Sequence, residues 1–316
     1  MARELVQETF KDGTSRLGYA WTIKQPKGNV IIITGMVETA LRYDGFAEFL
    51  NKHGYNVYCL DHYGQGLNAG EKEEGYPLKG IVPKSFFSKT VKDADELVSK
   101  LRASLIPTYI FAHSMGSFML QDYIQRYTQH VNKVIICGSN GPNATMAYVF
   151  GNLITKLIVH KKNRENEGKF FDKLIFGGYN KKIKNPRTHF DWLSVNEKNV
   201  DDYLADDLCG FTPTNGFYRE FLKGDARLYK RKFLKKVRKD MSILIIAGDQ
   251  DPVGAYGKGP QKLAKMYKGL KIQDVRCKIY PGLRHEILNE GIQQVYDDIV
   301  EFLDEPHEPA ESLLKK

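Results

Sequence analysis

Short apolar runs alternate along the chain with stretches whose apolar residues recur at helical spacing. Residues 30–33 read Val-Ile-Ile-Ile, the continuous apolar run of a strand buried on both faces. Residues 55–60, 107–111, 133–137, 242–247 and 275–280 are also β-branched and aromatic, and predict further strands. Residues 4–10 and 17–24 alternate around Lys11-Asp12-Gly13-Thr14 and predict an opening hairpin. Between the strands, Tyr43, Phe46, Ala47, Phe49 and Leu50 form one face of a helix that Gly54 ends. Residues 86–105 predict a long helix, as do 117–127, 260–267 and a last one from 285 to about 303. Strands alternating with helices mean βαβ units. The expected fold is therefore α/β, with a mostly parallel sheet of eight strands flanked by helices.

Residues 143–237 interrupt that alternation. They open with Met146-Ala147-Tyr148-Val149-Phe150-Gly151-Asn152-Leu153-Ile154-Thr155-Lys156-Leu157-Ile158. Val149, Leu153 and Leu157 make one stripe, and Phe150, Ile154 and Ile158 the next. An insertion after the carboxyl end of a strand lies where α/β sheets bind ligands, so it reads as a helical cap over a site. The plainer reading is a helix packed on its own subdomain, and both can hold. The expected organisation is a core of residues 1–142 and 238–304, a cap of 143–237 and a loose polar tail of 305–316.

The formal charge of +9 is concentrated at residues 156–187 and 223–239. Nucleic acid is one reading of this excess, an anionic lipid surface another, and a solvated lysine-rich face the third. No helix-turn-helix, zinc-finger or RNP pattern accompanies the charge, so no nucleic-acid partner is expected. Cys59, Cys137, Cys209 and Cys277 are scattered, without metal-ligand spacing. The first residues lack the apolar core of a signal peptide, and no apolar run reaches membrane-span length. A cytosolic, disulfide-free protein with neither metal nor cofactor is expected.

Candidate chemistry centres on Ala112-His113-Ser114-Met115-Gly116. A serine between a strand and a helix, with glycine two residues on, has the shape of a nucleophile elbow. The turn lifts the hydroxyl to the head of a helix, where a free N–H and the helix dipole stabilise negative charge. The plain alternative is a serine capping an ordinary helix. A serine nucleophile needs a base and a carboxylate to orient it. His285 follows the strand 275–280 and suits the base. His62, on the loop after strand 55–60, could also approach the site, whereas His113 should point away from Ser114 and pack behind the elbow. Gly248-Asp249-Gln250-Asp251-Pro252 offers two acids. Asp251 is favoured as the one able to reach across, leaving Asp249 as a turn carboxylate. The loop Thr34-Gly35-Met36-Val37-Glu38 is placed to lend the Met36 N–H to an oxyanion hole, with the Met115 N–H as second donor.

Five stretches carry a resemblance: Gly35-Met36-Val37-Glu38 with Arg42-Tyr43; Asp61-His62-Tyr63-Gly64-Gln65-Gly66; the elbow; Asp249-Gln250-Asp251-Pro252-Val253-Gly254; and Tyr280-Pro281-Gly282-Leu283-Arg284-His285-Glu286-Ile287-Leu288-Asn289-Glu290. Together they resemble the α/β-hydrolase superfamily, and within it the monoacylglycerol lipase and lysophospholipase L2 group of the serine aminopeptidase S33 type. The resemblance implies a triad of Ser114, Asp251 and His285, with Met36 and Met115 as oxyanion donors. The chain departs from the group at Thr34 and Thr39, where histidine is usual, at Ala112 in the elbow, and at Tyr63 and Gln65.

The implied activity is serine hydrolysis of single-chain lipid esters, monoacylglycerol or lysophospholipid, through an acyl-enzyme. The implied partners are the lipid substrate and, peripherally, an anionic membrane. An aminopeptidase would need acids in the cap to hold an amino terminus, and Asp201, Asp202, Asp206 and Asp207 are available. A binding protein that keeps the fold without catalysis is the third reading.

Overall fold

The computed structural model describes residues 3–69 and 79–307. Its sheet is built from β1 (Arg3–Thr9), β2 (Ser15–Trp21), β3 (Gly28–Ile33), β4 (Tyr55–Leu60), β5 (Thr108–His113), β6 (Lys133–Cys137), β7 (Ser242–Gly248) and β8 (Asp274–Tyr280). The strand order is β1-β2-β4-β3-β5-β6-β7-β8. The β1–β2 and β2–β4 pairings are antiparallel, and the rest are parallel.

The helices that cover the sheet explain why residues 30–33 of β3 are apolar without a break. Val30 and Ile32 face one layer, with Phe46 and Leu50 of α1 (Asp44–Lys52) and Val295 and Ile299 of α10 (Gln293–Asp304). Ile31 and Ile33 face the other, with Val91 of α2 (Phe86–Arg102), Met119 of α3 (Met115–Arg126) and Leu263 of α9 (Lys258–Gly269). Neighbouring residues of a strand point to opposite faces, so a strand covered on both sides has no polar position to spare.

Between β6 and β7 run α4 (Thr145–Ile158), α5 (Lys169–Phe176), α6 (Glu197–Ala205), α7 (Asn215–Asp225) and the short α8 (Arg231–Leu234). Among the described residues no helix is long and apolar enough to cross a membrane.

Two expectations are corrected. The last helix begins at Gln293, eight residues after the predicted start. Arg284 and Glu290 are instead drawn into bonds with residues 191–195 of the insertion between β6 and β7, and Gly291 turns the chain at φ +73°. The expected loose tail is anchored at its start, since Glu305 pairs with Arg276 and its carbonyl accepts from Lys133. Residues 308–316 of that tail lie outside the described residues.

Candidate active site

Every residue singled out for chemistry lies at the carboxyl edge of the sheet. Ser114 follows β5 and adopts φ +50°, ψ −120°, and its N–H donates to the Cys137 carbonyl at 3.0 Å. A non-glycine residue at positive φ is strained, and persists where its surroundings enforce it. Here the enforcement is close packing: a Cβ on Gly116 would lie 2.3 Å from the Ile33 carbonyl oxygen. Only glycine lets α3 cross the end of β3 at that distance, and that crossing brings Ser114 beside the loop after β3. Ala112, by contrast, is an ordinary residue of β5, paired with Ile33 and Ile136.

His285 stands on the loop after β8, with Nε2 2.8 Å from Ser114 Oγ. Asp251, on the loop after β7, places Oδ2 3.0 Å from His285 Nδ1, somewhat off the line of an ideal hydrogen bond. Its other oxygen accepts from Val253 N–H at 2.8 Å. Both side chains are buried. Asp249 points elsewhere and accepts from Gly282 N–H in the β8 turn.

Met36 and Met115 line the same cavity as Ser114 and His285. Among the described residues neither backbone N–H has an acceptor. A Cβ on Gly35 would lie 3.2 Å from the Ser114 Cβ, which measures how near that loop runs to the hydroxyl. The cavity encloses about 850 Å³, and its walls include Phe118, Tyr148, Ile154, Phe176, Phe221 and Leu222. Its lining draws on both the sheet edge and the insertion.

The other two histidines serve the backbone. His62 is buried, does not reach Ser114, and bonds through Nε2 to the Thr34 carbonyl at 3.0 Å. Burial and the nearby Arg16 charge push its pKa down to about 3, so it is neutral. His113 lies behind the elbow, with Nε2 3.2 Å from the His285 carbonyl and Nδ1 3.5 Å from Glu38. Burial opposes its charge, but Glu38 outweighs burial and raises the His113 pKa. The Glu38 carboxyl is held low in turn, against burial, by His113, Arg42 and the Tyr43 hydroxyl.

This buried network escaped the sequence reading, which used Glu38 and Arg42 only as motif letters. Glu38 accepts from Gly35 N–H and from Tyr43 OH, and Arg42 reaches across to Glu286. Trp192 was also missed. Its ring lies 5.1 Å from that of His285, centroid to centroid. An isolated tryptophan in an irregular segment carries no pattern that would have marked it.

The family model described as serine aminopeptidase, S33, matches residues 24–292. The chain belongs to this family. It has the α/β-hydrolase fold and is a hydrolase. It is 23% identical to the monoglyceride lipase of Saccharomyces cerevisiae over 95% of this chain and 93% of that one. It is 25% identical to the probable lysophospholipase L2 of Haemophilus influenzae, over 87% and 83%. Among solved structures, a thermostable carboxyl esterase from Bacillus coagulans in complex with glycerol superposes with a TM-score of 0.82. That pair is 26% identical, and the match covers 96% of this chain and 98% of that one.

Proposed function

We propose that this carboxylic ester hydrolase cleaves single-chain lipid esters, monoacylglycerol or lysophospholipid, through an acyl-enzyme on Ser114. The observation that carries the reading is the line Ser114–His285–Asp251, set beside two free amides at the floor of a large apolar cavity. His285 Nε2 takes the hydroxyl proton as Ser114 Oγ attacks the ester carbonyl. Asp251 holds the Nδ1 proton and offsets the imidazolium charge. The N–H groups of Met36 and Met115 receive the oxyanion. The alcohol leaves with the proton from His285, and water then repeats the sequence on the acyl-enzyme.

The substrate class rests on the cavity and on what the relatives are called. A space of about 850 Å³ with aromatic and aliphatic walls suits a long acyl chain. In this reading residues 143–237 are a cap over a core of 1–142 and 238–304. The acids that a peptidase would need are engaged elsewhere. Asp201 pairs with Arg187, Asp202 with Lys198, and Asp206 caps its own turn at Leu208. None of these three, nor Asp207, lines the cavity.

The cap is also read as resting on an anionic membrane. Met146, Leu153 and Leu157 of α4 are exposed, and Lys156, Lys161 and Lys162 follow along or just beyond the helix. Apolar groups that enter the acyl boundary beside basic groups that meet lipid headgroups are what such contact needs.

Hydrolysis of p-nitrophenyl esters from acetate to palmitate tests the reading. Activity should rise toward medium and long chains, and Ser114→Ala should lower it by roughly 10⁴-fold or more. A profile that peaks at acetate, or a Ser114→Ala variant that keeps its activity, would overturn it.

A further inference from the structure

Val37, the residue after Met36, adopts φ +52°. A β-branched side chain in the left-handed region is a steric outlier, and it stays there only if its neighbours leave no alternative. Those neighbours come from two directions. Val37 N–H donates to Gln65 Oε1, on the loop after β4. The Val37 carbonyl accepts from the Tyr203 hydroxyl at 3.1 Å and from Gly210 N–H at 3.1 Å. Tyr203 belongs to α6 and Gly210 to the turn that follows, both within the insertion between β6 and β7. Tyr203 is buried, and the Arg42 guanidinium lies over its ring at 4.8 Å. The core therefore grips one side of Val37 and the cap the other.

We infer that Tyr203 is a positioning residue: its hydroxyl, with Gly210 N–H, holds Val37 in the left-handed conformation that aims Met36 N–H at the carbonyl oxygen of a bound ester. The inference rests on the reading of Ser114 and Met36 given above. If Val37 relaxed to an ordinary negative φ, the peptide planes around it would turn and carry the Met36 N–H off its line. The two oxyanion donors are then unequal. Met115 N–H is fixed by the buried head of α3. Met36 N–H is correctly aimed only while the cap is seated. A cap displaced from the core would leave the serine with one donor, and an ester would react efficiently only beneath a closed cap.

The strain makes the idea separable from general damage. Glycine adopts positive φ without penalty, so Val37→Gly should free the loop from its need for Tyr203. The experiment measures kcat and KM on p-nitrophenyl octanoate for wild type, Tyr203→Phe, Val37→Gly and the double variant. Tyr203→Phe keeps the ring under Arg42 and leaves the Val37 carbonyl its bond from Gly210, and thermal melting checks that it folds. Losing one oxyanion donor outright costs about 10²–10³ in kcat. Tyr203→Phe should lose part of that, roughly 10-fold or more, with KM within about 2-fold. The double variant should return to within about 3-fold of wild type. An alkyl trifluoromethyl ketone, whose bound hemiketal oxyanion uses the same donors, should weaken in Tyr203→Phe by about the factor lost from kcat.

An unchanged kcat in Tyr203→Phe would overturn the inference. So would a rise in KM alone, which would make Tyr203 a substrate contact, or a double variant no better than Tyr203→Phe. A wild type that hydrolyses no ester and resists a fluorophosphonate at Ser114 would overturn the ester reading and this inference together. An active wild type with additive variants would overturn the inference alone.

Discussion

Helices α3 and α4 both carry apolar residues at helical spacing, and the molecule uses them in opposite ways. Every residue of α3 from Met115 to Gln125 is buried, including Gln121, Asp122 and Gln125. Gln121 donates to Ser139, Gln125 donates to the Leu228 carbonyl, and Asp122 pairs with Arg126 and Arg227. In α4 only Gly151 and Thr155 are buried, while Met146 is 77% and Leu157 75% exposed. The face that α4 turns to the protein carries Tyr148 and Ile154, and between them Gly151 lets α7 approach closely at Leu222. An apolar stripe thus marks a surface that will be covered, but not what covers it. The side chains around Ser114 need a rigid floor, and α3 supplies it. In the cap reading the insertion needs an inner wall and an outer face, and α4 supplies both.

Stability measurements can break this contrast. Leu120→Ala in α3 should cost about 2–5 kcal/mol in urea unfolding, from lost transfer energy and the cavity left behind. Leu157→Ala in α4 should cost less than about 0.5 kcal/mol. Equal losses at the two sites would mean that α4 is packed as tightly as α3.

The floor can be sharpened through its buried ion pair. His113 has a raised pKa in the folded protein and Glu38 a lowered one. The histidine contribution to stability is full below its ordinary value of 6.5 and fades as pH rises through the folded value. The glutamate contribution is full above its ordinary 4.5 and fades as pH falls through its lowered value. Wild type should therefore exceed His113→Gln most between pH 4.5 and 6.5. Above that window the advantage should shrink by at most about 1.4 kcal/mol per pH unit. An advantage that grows toward alkaline pH would contradict the pair.

The smallest stability effect is expected on the cap. Changing Met146, Leu153 and Leu157 together to serine should leave the melting temperature within a few degrees of wild type. Co-sedimentation with vesicles rich in anionic lipid should nevertheless fall sharply. Retained binding would mean that another surface meets the membrane, and a wild type that does not co-sediment would mean that none does.

Much of the fold was legible along the chain. Apolar and β-branched runs predicted six strands, because strands covered on both faces favour such residues, and alternation predicted the opening hairpin. The elbow was legible because a strand, a serine, a glycine and a helix follow one another locally. Asp251 and His285 could be nominated from their places after β7 and β8. Other features were not local. The start of the last helix was misplaced because Arg284 and Glu290 are tied to residues 191–195 of the insertion, which holds 284–290 out of the helix. His62 was read as able to approach the site, but a distant carbonyl, that of Thr34, holds it away, whereas His113 packs behind the elbow against the His285 carbonyl and Glu38. Val37 showed nothing unusual, since its strain comes from Tyr203 and Gly210, far along the chain.

Local chemistry, then, was enough to specify the strands, the elbow and the kinds of group that would serve it. Burial periodicity and turn geometry act between near neighbours, and a sequence displays near neighbours directly. Bringing Ser114 and His285 to 2.8 Å across 171 residues took the strand order and the glycine crossing at Gly116. Which face of α4 turned outward, and which residues came to hold Val37, depended on packing between segments remote in the chain. Those contacts depend on the shapes of both partners at once, and neither stretch alone encodes them.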